Sequence, residues 1–330
     1  MRAWVQHRYG DESVLELRDD LPPPTPTDDE VLVRVHAAGL NAADVHLLTG
    51  WPYLARLATG LRRPRQPVLG TDFAGVVTAI GSDVDHVAVG DAVMGEVMRG
   101  SLAEQVVVPG KAVTRKPASA SYEESAALPM GALTALEAVR RAAVHPGDRV
   151  LVNGASGGVG VSAVQMATSI GAKVTAVCSG RNAELVRSLG AVDVIDYRTR
   201  DFTETTERYD VILDIVSTQP VSRCRAILTP DGRYAVVGAV AKGRWLGMGR
   251  QIRTVMTSPF TKQKLLMVMA GSDRSDLAEI ATMVDDGSLR PVIEQVYPFE
   301  QAPEALRHLA SHRARGKVVV SVIDNSEGSG

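Results

Sequence analysis

The sequence predicts an α/β protein in which a doubly wound parallel sheet is joined to a second, partly antiparallel β domain. Three observations support this. From residue 118 onward, strand-like segments alternate with helix-like segments of about a dozen residues, which is typical of βαβ units. The apolar segment "DRVLVN" leads into a glycine cluster, "NGASGGVG" at 153–160. Residues 1–117 consist instead of short valine-rich segments separated by Gly and Pro.

The N-terminal region predicts strands within "VLVRVHAAGL" (31–40), "FAGVVTAIG" (73–81) and "GDAVMGEV" (90–97). Each segment is rich in valine and bounded by turn residues, which favours a β structure. The proline-rich "LPPPTPTDDE" (21–30) predicts a stiff, exposed connector. We therefore expect a partly antiparallel β domain here.

The alternating region begins with "SYEESAALPMGALTALEAVRRA" (121–142), which predicts a helix opened by a capping box of Ser121 and Glu124. The predicted strands that follow are 149–153, 173–178, 192–195, 210–215 and 233–238. The predicted helices are 158–170, 181–189, 220–228 and 276–289. One more helix and a last strand are expected in 298–322, whereas 242–265 fits neither pattern. The alternation predicts a parallel sheet.

Composition limits the function classes. The 330 residues are 45% hydrophobic with a net charge of −2, which suffices for two cores and gives no electrostatic argument for nucleic acid or an anionic membrane as partner. Cys178 and Cys224 stand apart from other metal-binding residues, so we expect neither a disulfide framework nor a thiolate zinc site. No long apolar segment predicts a membrane span, and the charged N-terminal segment does not resemble a signal peptide. We expect a cytoplasmic enzyme.

The glycine cluster opens the first βαβ unit, where backbone N–H groups and a helix N-terminus can hold a pyrophosphate. Glycines permit the tight turn and the close approach of the backbone. The spacing departs from the strict GxGxxG form, and an ordinary strand–helix turn is the alternative. We predict a dinucleotide site. The residues expected to contact the coenzyme at this loop are Ser156, Gly157, Gly158, Val159 and Gly160.

The coenzyme is predicted to be NADPH. An NAD site places Asp or Glu at the end of the second strand, where this chain has Cys178 and Ser179. Arg181 follows, and a guanidinium suits a 2′-phosphate; Tyr197 could add a hydroxyl group. The nearest acid, Asp196, is expected at the end of another strand, away from the ribose. The alternative is that Ser179 caps the next helix and Arg181 is solvated.

Several motifs together resemble one known family. They are "GLNAADVHLLTG", "LGTDFAG", "ALPMGALTAL", "GASGGVG", "RSLGAVDVIDY" and "RGKVVV". The chain resembles the medium-chain dehydrogenase/reductase superfamily, in its zinc-independent, quinone-oxidoreductase-like branch. The resemblance implies a GroES-like catalytic domain of residues 1–120 completed by 272–330, and an NADPH-binding Rossmann domain of 121–271. It also implies a homodimer, with "KLLMVMAG" (264–271) as a candidate edge.

The resemblance further implies that no zinc is bound. Zinc-dependent members have Cys where this chain has Asn41 and His–Glu where it has Thr71–Asp72, and no Cys or His occurs around Met130 and Gly131. Amide and hydroxyl groups are poor zinc ligands. Without a Lewis acid, we expect hydride transfer to a quinone or an α,β-unsaturated carbonyl, whose negative charge delocalises as the hydride arrives.

By resemblance, Asn41 and Asp44 line the pocket near the nicotinamide, and Tyr53 is the expected hydrogen-bond or proton donor, with His46 a weaker candidate that we expect to face solvent. Asp44 could instead cap a helix or pair with an arginine, and Tyr53 could simply pack at the rim of the pocket.

Three further residues are expected at the coenzyme by resemblance: Thr134, Gly238 and Lys317. Thr134 could instead bond back to its own helix, and Lys317 could be solvated.

Two alternatives remain. Arg62, Arg63 and Arg65, with the segment 242–265, would suit a bulky or carrier-bound acceptor, as in an enoyl or tailoring reductase of a polyketide or other natural product; a solvated basic loop is the commoner explanation of such arginines. The protein could also bind NADPH as a sensor without catalysis.

Overall fold

A computed structural model describes residues 1–237, 262–268, 271 and 273–323. The chain divides into two compact units: unit 1 is Met1–Met130 with Ser272–Gly330, and unit 2 is Gly131–Gly271. The predicted fold class, a parallel Rossmann-like sheet and a separate, largely antiparallel sheet, is confirmed. The assignment of catalysis to one domain and of coenzyme binding to the other stays a prediction.

The elements are given in chain order. The strands are β1 (Ala3–Gln6), β2 (Leu15–Arg18), β3 (Glu30–Leu40), β4 (Asp72–Ile80), β5 (Ala92–Glu96), β6 (Gln105–Pro109), β7 (Val113–Arg115), β8 (Arg149–Asn153), β9 (Lys173–Cys178), β10 (Asp193–Asp196), β11 (Tyr209–Asp214), β12 (Leu228–Val237), β13 (Lys264–Val268), β14 (Ile293–Pro298) and β15 (Lys317–Ser321). The α-helices of the described residues are α1 (Ala42–Thr49), α2 (Arg56–Thr59), α3 (Tyr122–Ala126), α4 (Pro129–Arg141), α5 (Gly158–Ser169), α6 (Ala183–Ser188), α7 (Val221–Ala226), α8 (Arg274–Asp285) and α9 (Ala302–Ala310). None of these helices is long and apolar enough to cross a membrane.

Unit 1 is organised around the long strand β3. Its sheet has the order β14-β15-β3-β4-β5-β7, and β6 also pairs with β3. All pairs are antiparallel except β14 with β15. Buried valines of β3, such as Val33 and Val35, pack with Phe73 and Val318 in one core. The end of β3 therefore lies beside the beginnings of β4 and β15.

Unit 2 is a parallel sheet with the order β10-β9-β8-β11-β12-β13. Numbered from β8, this is the order 3-2-1-4-5-6 of a dinucleotide-binding fold, in which the strand order reverses between β8 and β11. Four of the five residues of β8 are buried, as expected for a strand covered on both faces. Ligands of such sheets bind at the carboxyl ends of the strands, beside the reversal.

Most predicted elements agree with the structure within a few residues, but two differ. The single helix predicted from residue 121 is broken into α3 and α4, because Pro129 has no N–H with which to continue the first helix. The capping box is confirmed: the backbone N–H of Ser121 donates to Glu124 at 2.8 Å, and that of Glu124 to Ser121 Oγ at 3.1 Å. Within the segment 242–265, Lys264 and Leu265 belong to strand β13, and 242–261 lies outside the described residues.

Candidate functional site

The glycine loop of unit 2 joins β8 to α5. Gly154 has φ +89°, and a Cβ there would lie 2.3 Å from Val216 Cγ2. A Cβ on Gly160 would lie 2.1 Å from the carbonyl oxygen of Gly154, so both positions require glycine for the fold itself. Gly157 differs, because the nearest atom to a Cβ there is 3.6 Å away. It is the N-cap of α5, and the first N–H groups of a helix have no partner inside it. The loop therefore fits a bound pyrophosphate.

Ser156 at the centre of this loop is held by a residue from the next βα turn. The side-chain amide of Asn182 donates to Ser156 Oγ at 2.9 Å. Asn182 is buried and closes the 3-10 turn Gly180–Asn182 that follows β9. Asn182 was not among the predicted site residues, although an asparagine just after the second strand was the available signal. Gly158 and Val159, also predicted here, lie in the first turn of α5.

The turn after β9 holds the residues predicted to select the coenzyme. Ser179 is buried, whereas Arg181 and Tyr197 are exposed, Tyr197 by 58%. The backbone N–H of Tyr197 donates to the carbonyl of Cys178 at 3.2 Å, so Tyr197 lies beside this turn. Arg198 and Arg200, which follow Tyr197 and are exposed, are further cations that the sequence analysis missed.

Asp196 lies at the end of β10, a different strand from β9, as predicted, but close to the turn that follows β9. Asp196 is the register partner of Cys178, and a Cβ on Gly180 would lie 2.5 Å from its Oδ2 atom. The carboxylate is therefore adjacent to the turn rather than away from it, because parallel strands end at the same edge of a sheet. Its Oδ1 accepts from the backbone N–H of Arg198 at 2.9 Å. An acid and several arginines thus share this edge.

The other two residues predicted at the coenzyme in this part of the chain are Thr134 and Gly238. Thr134 lies within α4 and is half-buried. Gly238 lies outside the described residues.

Unit 1 contains a buried polar cluster of five side chains: Asn41, Asp44, Thr71, Asp72 and Lys317. Lys317 Nζ donates to Asn41 Oδ1 at 2.5 Å and to Asp72 Oδ2 at 3.0 Å. Asn41 Nδ2 donates to Thr71 Oγ1 at 3.0 Å, and Thr71 Oγ1 donates to Asp44 Oδ2 at 3.1 Å. The structure therefore brings together three predicted site residues, Asn41, Asp44 and Lys317, with Thr71 and Asp72, which had been considered only as failed zinc ligands.

The strand register explains how the cluster forms. Gly39 of β3 pairs with Asp72, the first residue of β4, and Leu40 pairs with Val318 next to Lys317. A Cβ on Gly39 would lie 2.0 Å from the carbonyl of Ala126, so only glycine fits there. The ends of three strands in unit 1 thus deliver the side chains of the cluster to one place.

Asp44 is fully buried. Its contacts agree with the alternative prediction, in which it supports the end of a helix. Its Oδ2 accepts from the backbone N–H of Asn41, the N-cap of α1, at 2.7 Å. Its Oδ1 has no hydrogen-bond partner among the described residues. Burial raises the pKa of Asp44 to about 7; the neighbouring Asp72 adds to the rise and Lys317 opposes it.

Tyr53 and His46 are not part of the cluster. Tyr53 begins the 3-10 turn Tyr53–Ala55, and the guanidinium of Arg56 lies 4.6 Å from the centre of its ring. His46 is half-buried in α1 rather than facing solvent, and burial lowers its pKa. The predicted donor role of Tyr53 stays a prediction.

Comparison with known proteins decides the family. The alcohol dehydrogenase GroES-like domain matches residues 27–118, and the zinc-binding dehydrogenase family matches residues 189–320. The human NAD(P)H oxidoreductase RTN4IP1, mitochondrial, is 36% identical over 98% of this chain and 89% of its own length. The chain belongs to the medium-chain dehydrogenase/reductase superfamily, in its quinone-oxidoreductase-like branch.

Other members of the superfamily match over a similar length. The chloroplastic NADPH-dependent alkenal/one oxidoreductase of Arabidopsis thaliana is 31% identical over 97% of this chain and 79% of its own. The structure of the quinone oxidoreductase from Coxiella burnetii superposes with a TM-score of 0.87 at 29% identity, covering 98% of this chain and 99% of that one.

The name of the zinc-binding dehydrogenase family raises the question of a metal. Among the described residues, no three His, Cys, Asp or Glu side chains are grouped so that they could hold a metal ion. The buried polar cluster offers an amide and a hydroxyl in place of thiolate and imidazole, and the ammonium of Lys317 already contacts the oxygens of Asn41 and Asp72. These residues do not fit a zinc ion.

Proposed function

We propose that this protein is an NADPH-dependent reductase of quinones and α,β-unsaturated carbonyls that works without zinc. The observation that carries the proposal is the ammonium of Lys317, bonded to Asn41 and Asp72 in a cluster unsuited to zinc. An enzyme without a Lewis acid needs an acceptor that delocalises its own negative charge, as quinones and enones do. The name of the Arabidopsis relative, an alkenal/one oxidoreductase, supports this class of acceptor, and the name of the human relative supports a nicotinamide coenzyme.

NADPH would supply the hydride, and the residues of unit 2 would bind and orient it. The N–H groups at the start of α5, with Ser156, Gly157, Gly158, Val159 and Gly160, would hold the pyrophosphate. Arg181, Ser179 and Tyr197 would receive the 2′-phosphate, because a guanidinium makes charge-assisted bonds to phosphate. Thr134 and Gly238 are proposed at the nicotinamide half by resemblance alone.

Asn41 is the group in unit 1 that we propose meets the acceptor. Its Nδ2 carries two hydrogens, one of which goes to Thr71, and the side chain is 8% exposed. The second hydrogen can bond to the acceptor oxygen as negative charge develops there. Asp44 is 0% exposed, so we assign it to positioning Asn41. Tyr53, which is partly exposed, remains the candidate proton donor.

The test is steady-state NADPH consumption by purified protein across a panel of quinones and enones, with simple ketones and alcohols as comparison substrates. We expect turnover of the conjugated acceptors, unchanged after exhaustive treatment with a zinc chelator. Asn41→Ala should lower kcat/KM for the acceptor by about a hundredfold, as expected when an oxyanion donor is removed. An absence of protein-dependent NADPH oxidation with every acceptor would show that the proposal is wrong.

A surface feature favours a second candidate, a reductase of carrier-bound acceptors. Leu54, Leu57 and Leu61 are exposed in and just after the short segment from Tyr53 to Thr59, and the arginines at 62–65 follow them. No Asp or Glu occurs between residues 44 and 72. Such a surface suits an acidic carrier domain. A carrier-bound enone should then be reduced with a higher kcat/KM than its free analogue, and Arg62→Glu/Arg63→Glu should remove that difference.

Two further expectations accompany the proposal. β13 is the terminal strand of the sheet among the described residues, which supports a homodimer through this edge. A cytoplasmic location is proposed from composition, whereas the human relative is named mitochondrial. Cell fractionation with a tagged chain tests the location.

A further inference from the structure

The buried polar cluster has an unusual charge content. The side chains of Asp44 and Asp72 are both 0% exposed, and the only cation within the described cluster is Lys317, itself 3% exposed. Buried charges are tolerated when they are paired and hydrogen-bonded. Two buried carboxyl groups beside an amide oxygen form a site for a cation, and the ammonium of Lys317 lies within it.

Lys317 also fixes the orientation of Asn41. An ammonium group has donors and no acceptor, so its 2.5 Å contact requires the oxygen of the Asn41 amide to face it. Nδ2 must then face Thr71, whose hydroxyl passes its own hydrogen to Asp44. The direction of every hydrogen bond along this chain follows from the ammonium at its end.

We propose that Lys317 is a positioning residue. Its ammonium holds the side-chain oxygen of Asn41, so that Nδ2 faces away from Lys317 and its second N–H is available to the acceptor oxygen. This rests on the proposed function in that the acceptor is a conjugated carbonyl or quinone. The acceptor gains hydride at carbon, its conjugated electron pair moves to oxygen, and the proposed donor Tyr53 supplies the proton. The ammonium bonded to Oδ1 polarises the amide of Asn41. This polarisation strengthens the hydrogen bond from Nδ2 to the acceptor oxygen. The cluster thereby performs charge stabilisation without a metal.

The test uses Lys317→Ala, which removes the equivalent of n-propylammonium. We expect the melting temperature to fall by roughly 10 °C, because a buried carboxylate loses its partner. kcat/KM for the acceptor should fall roughly ten- to a hundredfold, while the Kd for NADPH stays within about twofold of the parent. Added n-propylammonium should raise both the melting temperature and kcat/KM of the variant, and propan-1-ol, which has a similar size without the charge, should not.

Lys116→Ala is the matched control. Lys116 is another lysine of unit 1, and its Nζ donates to the carbonyl oxygens of Pro117 and Ala120. n-Propylammonium should not raise kcat/KM of this variant. A large loss of NADPH affinity in Lys317→Ala with unchanged acceptor kinetics would instead place Lys317 at the coenzyme and overturn the proposal. Equal rescue by propan-1-ol would show that the side chain of Lys317 only fills space, and this result would also overturn the proposal.

A second pair of variants covers the case in which Lys317→Ala does not fold. Lys317→Met keeps an unbranched stem of four heavy atoms without the ammonium, and Lys317→Met/Asp72→Asn also restores charge balance. The double variant should regain most of the lost melting temperature and stay slow with the acceptor, because no ammonium holds the side-chain oxygen of Asn41. Full recovery of kcat/KM in the double variant would contradict the proposal. If the parent reduces no acceptor, the proposed function fails, whereas rescue of stability by n-propylammonium still tests the cation role.

Discussion

The side-chain amide of Asn182 donates to Ser156 Oγ at 2.9 Å, which ties the turn after the second strand of unit 2 to the glycine loop after the first. Both segments lie at the carboxyl edge where a dinucleotide would bind. The bond therefore holds the proposed pyrophosphate loop and the proposed ribose turn in a fixed relation before any coenzyme arrives.

Asn182→Ala should weaken NADPH binding by about two- to tenfold, which corresponds to the loss of one neutral hydrogen bond. The measurement is coenzyme titration by fluorescence or calorimetry. Ser169→Ala, which removes a bond from Oγ to the carbonyl of Met166 at the far end of α5, is the control and should leave the Kd unchanged. An unchanged Kd in Asn182→Ala would show that the glycine loop keeps its shape without this bond.

Two glycines of the same loop should respond differently to alanine. Gly157→Ala meets no atom closer than 3.6 Å, so the protein should keep its stability and lose NADPH affinity tenfold or more as the methyl group enters the phosphate space. Gly160→Ala would place its Cβ 2.1 Å from the carbonyl oxygen of Gly154 and should lower the free energy of unfolding by about 1–3 kcal/mol. Thermal unfolding and coenzyme titration of both variants separate the two effects. A Gly157→Ala protein with parental affinity would exclude this loop from phosphate binding.

Asp44 predicts a specific pH dependence of stability. Burial raises its folded-state pKa to about 7, with Asp72 adding to the rise and Lys317 opposing it. Because the folded state holds this proton more tightly than the unfolded state, the contribution of Asp44 to the free energy of unfolding is greatest at low pH. That contribution is lost as the pH rises from about 4 through 7. Asp44→Asn can still accept the bonds from Asn41 and Thr71, and it removes the titration.

The difference in unfolding free energy between Asp44→Asn and the parent should therefore shift in favour of the variant by on the order of 3 kcal/mol between pH 4 and 8. Denaturant unfolding at a series of pH values measures it. Asp85→Asn is the control, because the side chain of Asp85 is 95% exposed. Parallel pH profiles of parent and Asp44→Asn would mean that Asp44 titrates in the folded protein as it does in the unfolded chain.

The homodimer prediction can be tested at β13. Met267→Lys places a charge on this terminal strand and should shift the protein toward a monomer, as measured by light scattering during size-exclusion chromatography. Met98→Lys, at an exposed methionine of unit 1, serves as the control. A parent protein that is already monomeric would contradict the prediction.

The sequence was sufficient for the features that depend on local pattern. Alternating periodicity predicted the parallel sheet, and the glycines at 153–160 predicted the turn, because both are determined by neighbouring residues. Pro129 divides the single helix that was predicted from residue 121, because it has no N–H with which to continue the first helix. The spacing of Ser121 and Glu124 predicted a capping box, and the structure confirms it.

The parts that could not be predicted depend on which strands are neighbours. The buried polar cluster joins residues 41, 71 and 72 to residue 317, and only the pairing of β3 with β4 and β15 brings them together. The proximity of Asp196 to Gly180 was not predicted for the same reason, because it follows from the register of β10 with β9. Neither relation leaves a signal in a single segment of sequence.

The most direct test of the account is the ratio of kcat/KM for NADPH to that for NADH with a conjugated acceptor, in the parent and in Arg181→Glu. Arg198→Glu and Asp196→Asn serve to separate the contributions of the other charges at that edge. The account predicts a parent that prefers NADPH by at least about tenfold and a preference that falls by tenfold or more, toward NADH, in Arg181→Glu. A parent that prefers NADH, with a preference that Asp196→Asn removes and Arg181→Glu leaves unchanged, would contradict it.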